Sequence, residues 1–433
     1  MRLHKVTEVG DIAGHGGKPL VERVMADSGE ARKKIKGLKE VPINRQIATE
    51  TISICYGFFS PLEGFMARAD VESVCKKMTL TDGTLWSIPI VFDISNREIA
   101  DYNLSEGDTV LLTFTGNPLA VFEIRDVFAY DTREMAQDVY GTQDEKHPGV
   151  KRTLAHKDKF LGGRVTLVNP PKVREPFTSY FLTPREHRER FREKGWQRIV
   201  AHQTRNVPHT GHEWLMKHAW MATHGDLSME ETEGGQAITG ILVNCITGEK
   251  RSGDYIDEAM VLAHDALRRF GYFREDIHTV SLTFWDMRYA GPKEAIHHAI
   301  IRTNLGLTHH MFGRDHAGVG SYYHPYDAHR IFSKIQPGSL RITPIFVLEW
   351  LYCPVCGEVT SIGLCGHRKD RQSFSGTFIR SIIMDGVRPT RLIFRPEIFD
   401  IVTECADKYG FGSPFVTREY LERAAPAFTV EPL

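Results

Sequence analysis

Two histidines and an arginine stand close together in residues 203–212, which read Q-T-R-N-V-P-H-T-G-H. His209 and His212 frame Gly211, and a glycine at this place lets a phosphate chain approach the backbone closely. If a helix begins here, its first N–H groups and its dipole add to the attraction for an anion. Each imidazole can donate a hydrogen bond to a phosphate oxygen. The stretch therefore predicts a phosphate-binding loop.

The residues before the histidines favour nucleotidyl transfer. Arg205 carries the planar guanidinium that suits sulfate or phosphate, and Gln203 and Asn206 add neutral hydrogen-bond donors. Transfer of a nucleotidyl group requires stabilisation of charge at the α-phosphorus and on the leaving pyrophosphate. It requires no covalent nucleophile when the acceptor is already an anion. We interpret these side chains as donors to such a reaction.

Two other interpretations apply to the histidine pair. An H-x-x-H spacing can form half of a metal site, although no glutamate follows the first histidine as in H-E-x-x-H. The histidines can also be purely structural, which is more plausible for a lone histidine than for a polar cluster of this kind.

A second stretch, residues 313–318, reads G-R-D-H-A-G. Its two glycines allow a ligand to come close to the backbone, Arg314 can meet a phosphate, and His316 can donate a hydrogen bond. A tight turn that contains a buried pair of Arg314 and Asp315 explains the hexapeptide about as well.

Two further stretches bear on phosphate chemistry. Residues 287–294 read M-R-Y-A-G-P-K-E and lead from a predicted strand into a helix, with Pro292 well placed for the first turn. Residues 14–18, which read G-H-G-G-K, lack the G-x-x-x-x-G-K-[ST] spacing of a P-loop and follow no apolar strand. Kinase chemistry of the P-loop type is therefore disfavoured.

Three of the seven cysteines lie near one another late in the chain, at Cys353, Cys356 and Cys365, and His367 follows. Cysteines at positions i and i+3 around a turn fill two corners of a tetrahedral zinc site, and a second pair can fill the other two. Four protein ligands leave no open position, so we predict a structural zinc rather than a catalytic one. The alternative is a set of unligated thiols. This use of cysteine also favours a reduced, cytoplasmic protein.

The elements that must position these residues alternate between strand and helix in the second half of the chain. The predicted strands span residues 198–201, 238–243, 278–284 and 309–312, and the predicted helices span residues 213–223, 257–270 and 292–304. Such alternation implies an α/β fold with a parallel sheet, in which ligands bind at the carboxyl ends of the strands.

The first half of the chain is predicted to be rich in β-structure, with a few helices. Apolar runs at residues 110–114 and 120–124 flank a turn signal at residues 116–118, and a third run, residues 85–91, follows another turn signal. A boundary is marked by N-P-P at residues 169–171, and a charged, solvated helix is predicted over residues 184–194.

We therefore divide the chain into three parts. Residues 1–170 form a β-rich domain, residues 171–340 form a catalytic domain, and residues 341–433 form a C-terminal subdomain with the zinc site and a tail. A length of 433 residues fits two or three domains.

Composition limits the partners. The 54 basic and 55 acidic residues give a formal net charge of −1, so no global charge attracts nucleic acid or an acidic membrane surface. No apolar stretch approaches the ~18 residues of a membrane-spanning helix. Any anion site must therefore come from local geometry.

Taken together, these stretches resemble the ATP sulfurylase family. Residues 203–212 are similar to its Q-x-R-N…H-x-x-H pattern, residues 287–294 to M-R-Y-A-G-P-[RK]-E, and residues 313–318 to G-R-D-H-A-G. Residues 59–66, 82–86 and 375–380 are also similar to the family. The resemblance spans roughly residues 14–400, and the metal site resembles that of some bacterial and archaeal members. One departure is Val207-Pro208, since the family usually has R-N-P-x-H.

The resemblance implies direct attack of sulfate on the α-phosphorus of ATP, which yields adenylyl sulfate and pyrophosphate. Its implied fold is a PUA-like domain followed by a Rossmann-like nucleotidyltransferase domain. The implied sulfate ligands are Gln203, Arg205 and the backbone of Ala317. The implied catalytic and nucleotide-binding residues are Thr204, Arg205, Asn206, His209, His212, Gly313, Arg314, Asp315 and His316. Magnesium is expected to arrive with ATP, and the chain is expected to form a homo-oligomer.

Two other functions were weighed against this one. The H-x-G-H pattern also occurs in other nucleotidyltransferases and in class I aminoacyl-tRNA synthetases, but a K-M-S-K-S-like loop is missing. An RNA-binding PUA protein would favour a basic, aromatic-rich face, whereas acids and bases are mixed throughout the first half. We therefore expect no nucleic-acid partner.

Overall fold

The computed structural model describes residues 13–224, 237–374 and 376–433. Its first part is built on a six-stranded sheet with the order β1-β4-β5-β6-β2, in which β3 also pairs with β6. Only β1 and β4 pair in parallel. The strands are β1 (Lys39–Pro42), β2 (Gly64–Phe65), β3 (Phe92–Ile94), β4 (Thr109–Phe114), β5 (Asn117–Phe128) and β6 (Lys159–Leu167). The helices are α1 (Ser28–Ile35), α2 (Arg45–Cys55), α3 (Arg68–Lys77), α4 (Asn96–Asp101), α5 (Thr132–Tyr140) and α6 (Pro148–Leu154).

The predicted hairpin is confirmed, but its turn lies one step earlier than expected. Thr115 and Gly116 connect β4 to β5 with φ angles of 51° and 81°. Positive φ at both positions is the geometry that suits the twist of a two-residue hairpin. Asn117 and Pro118 therefore already belong to β5. The apolar run at residues 85–91 is buried but forms no continuous strand, and β3 begins only at Phe92.

The second part is a five-stranded parallel sheet with the order β10-β9-β8-β11-β12. The elements are β7 (Lys172–Val173), β8 (Arg198–Thr204), β9 (Thr239–Thr247), β10 (His278–Phe284), β11 (His309–Phe312), β12 (Thr343–Phe346), α7 (Pro184–Glu193), α8 (Thr210–His224), α9 (Asp257–Arg269), α10 (Pro292–Asn304) and α11 (Asp327–Arg330). All predicted strands and helices of this half are confirmed, and those at residues 278–284, 292–304 and 309–312 match end to end. None of the helices in the described ranges is long and apolar enough to cross a bilayer.

Helix α7 is present as predicted, but one of its faces is buried. His187 and Phe191 are fully buried, and the Arg188 guanidinium donates from Nε to the Asn304 carbonyl oxygen at 3.1 Å. The prediction of a solvated helix therefore holds only for its outer face.

The third part packs a small antiparallel sheet and three helices against the parallel sheet. Its elements are β13 (Trp350–Cys353), β14 (Glu358–Ser361), β15 (Gln372–Ser373), α12 (Gly376–Met384), α13 (Pro396–Tyr409), α14 (Arg418–Arg423) and β16 (Phe428–Thr429). The sheet order is β14-β13-β15, and α13 packs against α9. Strand β16 returns to pair with β7 beside the boundary of the first two parts.

The first two parts share a packed and charged junction. Phe59 meets Trp285 edge to face, with ring centres 5.6 Å apart. Glu50 of α2 forms an ion pair with Arg288 of the second part, and the side chains are only 2% and 7% exposed. Among the described residues one hydrophobic cluster runs through all three parts.

The glycine-rich stretch at residues 14–18 has a structural role at this junction. His15–Gly17 forms a short 3-10 turn, and the His15 N–H donates to the Asn304 side chain at the end of α10 at 2.8 Å. The His15 ring also bonds to the Leu85 carbonyl oxygen at 2.6 Å. The stretch thus opens no helix that could receive phosphates.

Candidate active site

The residues that the sequence analysis assigned to phosphate and sulfate chemistry line one cleft of about 260 Å³. The chain adds β9 and β10 on one side of β8, and β11 and β12 on the other. The connections after β8 and β11 therefore diverge and leave a crevice at the carboxyl edge of the sheet. The predicted residues that line it are Gln203, Thr204, Arg205, Asn206, His209, His212, Gly313, Arg314, Asp315, His316 and Ala317.

The loop after β8 is closed by its own side chains. The Thr204 hydroxyl accepts from the Asn206 N–H and donates to the Asn206 carbonyl oxygen, each at 3.1 Å. His264 of α9 bonds to the same carbonyl oxygen at 3.0 Å. Val207 is 2% exposed, and its backbone carbonyl hydrogen-bonds the His212 ring. The shifted proline is therefore compatible with an ordered loop that leads into α8.

His209 and His212 form a stacked pair at the N-terminus of α8. Their ring centres are 3.7 Å apart, and each backbone N–H reaches the other ring's Nδ1 at 3.4 Å. Phe374 covers the outer face of His209, with ring centres 5.2 Å apart. Burial lowers the pKa of His212 to about 4 and that of His209 well below its ordinary value. Both imidazoles are therefore neutral at pH 7 when no anion is bound.

The Arg205 guanidinium extends across the loop over the ring of Tyr289, 4.8 Å from the ring centre. Among the described residues no carboxylate forms an ion pair with it, and its buried Nη1 has no hydrogen-bond partner. The buried Oε1 atom of Gln203 also has no partner. A cation that is neither paired nor fully hydrogen-bonded is suited to receive an anionic ligand.

The loop after β11 turns sharply, as the two glycines in its sequence suggested. Asp315 and Ala317 have positive φ angles of 54° and 57°. The Ala317 carbonyl oxygen accepts from the Gly291 N–H at 3.0 Å. The buried pair of Arg314 and Asp315 does not form, since the side chain of Arg314 is half exposed and lies 3.7 Å from a carboxylate oxygen of Glu349.

The stretch at residues 287–294 shapes the cleft from below. Glu294, in the first turn of α10, is completely buried and accepts from the backbone N–H groups of Arg288 and Ala290 at 2.9 and 3.0 Å. These bonds hold Tyr289 at a φ of 59°, under the Arg205 guanidinium. Burial alone would raise the pKa of Glu294, but hydrogen bonds from His298, Trp285 and the backbone lower it to about 2.

Several residues of the cleft were missed by sequence reasoning. Glu349, Trp350 and Phe374 line it from the third part of the chain, and Trp350 stacks on Trp214 of α8 at 5.4 Å between ring centres. No local pattern pointed to these side chains, because only the packing of the small sheet against α8 brings them here. Tyr289, by contrast, lies within a stretch that the sequence had marked. The similar stretch at residues 375–380 begins at Ser375, which lies outside the described residues.

The described residues contain one group of side chains with the spacing of a metal site, and it lies away from His209 and His212. It consists of Cys353, Cys356, Cys365 and His367, whose donor atoms all lie within 4.8 Å of one another. The half-metal-site interpretation of H-x-x-H is therefore wrong for the described part of the chain.

The geometry of this group fits a tetrahedral ion. The Cys356 Sγ lies 3.7 Å from the Cys365 Sγ, and the three sulfurs lie 3.3–3.7 Å from the His367 Nδ1. A tetrahedron with metal–sulfur bonds of about 2.3 Å has edges of about 3.8 Å. The predicted ligand set is thus assembled, at the end of the β13–β14 hairpin, and it can hold a metal ion.

Comparisons with known proteins agree with this architecture. Residues 178–405 match the family model described as ATP-sulfurylase, and residues 12–170 match the PUA-like domain. A sulfate adenylyltransferase of Archaeoglobus fulgidus is 39% identical over 442 residues, with 94% of each chain covered. One of Hyperthermus butylicus is 40% identical, with 90% of this chain and 95% of the relative covered.

A solved structure supports the fold alone. The hexameric APS kinase from Thiobacillus denitrificans superposes with a TM-score of 0.66 at 21% identity, covering 91% of this chain and 68% of that one. The family matches and the extended identity to sulfate adenylyltransferases agree with the assembled cleft. The chain therefore belongs to the ATP sulfurylase family.

Proposed function

We propose that this chain is a sulfate adenylyltransferase, which joins sulfate to the α-phosphate of ATP and releases pyrophosphate. A sulfate oxygen attacks the α-phosphorus and forms a new O–P bond. The bond from the α-phosphorus to the bridging oxygen breaks, and pyrophosphate leaves with that electron pair. Because sulfate is already an anion, no side chain has to remove a proton. The same site can run the reaction in reverse.

One observation carries the proposal: Arg205 presents an unpaired guanidinium to a cleft between two loops at the switch point of the sheet. Two mutually repelling anions require a positive group between them, and a carboxylate partner would cancel that charge. We assign Gln203, Arg205 and the backbone N–H of Ala317 to sulfate.

The remaining roles follow the two loops. Thr204, Arg205 and Asn206 form the catalytic loop, and His209 and His212 stabilise the phosphates as charge moves to the leaving group. Arg314 adds a second cation from the opposite loop, and Gly313, Asp315 and His316 contact the nucleotide together with it. Magnesium enters with ATP and neutralises charge on the phosphate oxygens.

We also propose that the cysteine–histidine group holds zinc in a structural role. The four donors close the coordination sphere, and thiolate with imidazole is a donor set that zinc prefers.

We further expect a homo-oligomer in the cytoplasm. Exposed apolar side chains on α12 and after it, Phe378, Met384 and Val387, support association of the chain. The structural neighbour is itself described as hexameric.

The decisive experiment is molybdate-dependent cleavage of ATP, because molybdate is a tetrahedral oxyanion that can replace sulfate. We expect pyrophosphate release that depends on molybdate and falls by about 10²–10³-fold in Arg205→Ala, since one preorganised donor at developing charge contributes about that much. The measurement is the initial rate of pyrophosphate formation.

Arg388→Ala is the matched control, since Arg388 is exposed, pairs with Asp400 and lies outside the cleft. Its rate is expected to equal the wild-type rate. Unchanged turnover in Arg205→Ala would contradict the role of Arg205, and the lack of any oxyanion-dependent cleavage by the wild type would contradict the function.

A further inference from the structure

A chain of three buried groups leads from the interior of the second part to the cleft. Glu294 and His298 lie one helical turn apart on α10, with the His298 Nε2 3.5 Å from a carboxylate oxygen of Glu294. On its other side, the His298 Nδ1 lies 3.1 Å from the Nε2 of His316. Glu294 and His298 are completely buried, and His316 lines the cleft.

The first link of this chain fixes where protons reside. Glu294 already accepts from the Trp285 indole N–H at 2.8 Å and from two backbone N–H groups. It is therefore an ionised acceptor, so the ring nitrogen that faces it, the His298 Nε2, carries a hydrogen. Burial lowers the pKa of His298, so the ring holds only this one proton and its Nδ1 presents a lone pair.

The second link transmits this choice to the cleft. Because the His298 Nδ1 is an acceptor, the hydrogen between the two rings belongs to the Nε2 of His316. Burial and the nearby charges of His298 and Arg302 lower the pKa of His316 well below its ordinary value, so this ring is neutral as well. Its Nδ1 forms no hydrogen bond within the described residues and remains for a ligand.

We propose that Glu294 and His298 are positioning residues that fix the tautomer of His316, so that His316 presents an acceptor to the nucleoside of the bound nucleotide. This differs from the donor role expected from the sequence. A lone pair repels phosphate oxygens and selects an N–H or O–H donor. The nucleoside of ATP offers such donors at the 6-amino group and at the ribose hydroxyls.

The tautomer can be tested without any ligand. In protein labelled with ¹⁵N-histidine, the His316 signals are assigned by their loss in His316→Gln. We expect an unprotonated Nδ1 and a protonated Nε2 at pH 7.5. A protonated Nδ1 would overturn the proposal. In His298→Leu the constraint is removed, and the His316 Nδ1 signal is expected to move towards the protonated value.

The ligand group is identified with three analogues of ATP that each lack one donor: purine riboside triphosphate, 2′-deoxy-ATP and 3′-deoxy-ATP. We expect one of them to bind wild type about tenfold more weakly than ATP, the effect of one lost hydrogen bond to a buried group. In His298→Leu the ratio is expected to fall to about threefold or less. Equal affinities in wild type, or a ratio that stays unchanged in His298→Leu, would overturn the proposal.

Two measurements guard this result. His309→Gln, at a half-buried histidine outside the cleft, should keep both the His316 signals and the analogue ratio. The identity of the ligand rests on the proposed function, whereas the tautomer does not. A chain that binds no ATP but shows the expected tautomer would sink the proposed function and leave the Glu294–His298 relay standing. If His298→Leu fails to fold, the wild-type spectrum and analogue affinities still decide.

Discussion

At the scale of single residues, the stacked histidines of the cleft are neutral in the free protein and able to gain charge when an anion arrives. Burial lowers the pKa of His212 to about 4. A polyphosphate beside the ring favours the protonated form and raises this pKa. Since the bound state then holds more protons than the free state, affinity for the polyphosphate rises as pH falls through the bound-state pKa.

This linkage predicts proton uptake on binding. ATP binding measured by calorimetry at pH 6 in buffers of different ionisation enthalpy should consume more protons in wild type than in His212→Gln. The difference between the two proteins cancels the titration of ATP itself. His309→Gln, whose ring lies outside the cleft, should behave as wild type. Equal proton uptake in wild type and His212→Gln would show that His212 does not respond to the phosphates.

At the scale of elements, the small sheet of the third part forms one wall of the cleft. Trp350 begins β13 and stacks on Trp214, while Phe374 follows β15 and covers His209. The turn between β13 and β14 and the segment before β15 carry the four donors of the metal group. A bound metal would therefore hold together the same short strands that place these aromatic rings.

Metal removal is predicted to loosen this wall. Purified protein should contain one zinc per chain, and chelation should lower the melting temperature by roughly 5–10 °C, because metal binding adds directly to folding free energy. Three further thiols should become reactive, and zinc should restore the melting curve. A metal-free protein with unchanged melting and with these thiols freely reactive from the start would contradict the zinc assignment.

The sequence indicated most elements of the parallel sheet, because its strands are short apolar runs between recognisable caps. Pro292 marked the start of α10, and the strand at residues 278–284 is uniformly apolar enough to be unambiguous. The apolar run at residues 85–91 misled, since its side chains are buried by packing rather than by strand pairing. For the site, the loops after β8 and β11 were found from local motifs. Trp350 and Phe374 could not be found, because their contribution depends on contacts between distant parts of the chain.

At the scale of the whole molecule, many of the twenty histidines are interior groups. Burial lowers the pKa of His15 and His187 to about 4, and that of His264 and His278 to about 3. The unfolded chain binds protons on these rings near pH 6.5, whereas the folded chain does not. Stability is therefore fully present above pH 6.5 and is lost as pH falls towards 4.

The urea midpoint should accordingly be lower at pH 5.5 than at pH 7.5, with each such ring contributing up to about 1.4 kcal/mol per pH unit. Because the metal group also loses its ion in acid, His187→Gln isolates the effect of one ring. Its pH dependence should be shallower by up to about that amount. An identical slope in wild type and His187→Gln would contradict the linkage.

The division at residues 170 and 340 stays a prediction, although the return of β16 to β7 links the last residues to the segment that follows the first boundary.

The buried ion pair of Glu50 and Arg288 constrains how this molecule can move. Rocking the first part away from the parallel sheet would strand two opposite charges in a low-dielectric seam, a change that costs several kcal/mol for each uncompensated ion. That seam therefore acts as a weld rather than a hinge. Admission of ATP and escape of product must then rely on displacement of the third part, whose aromatic wall is the opposite side of the gateway.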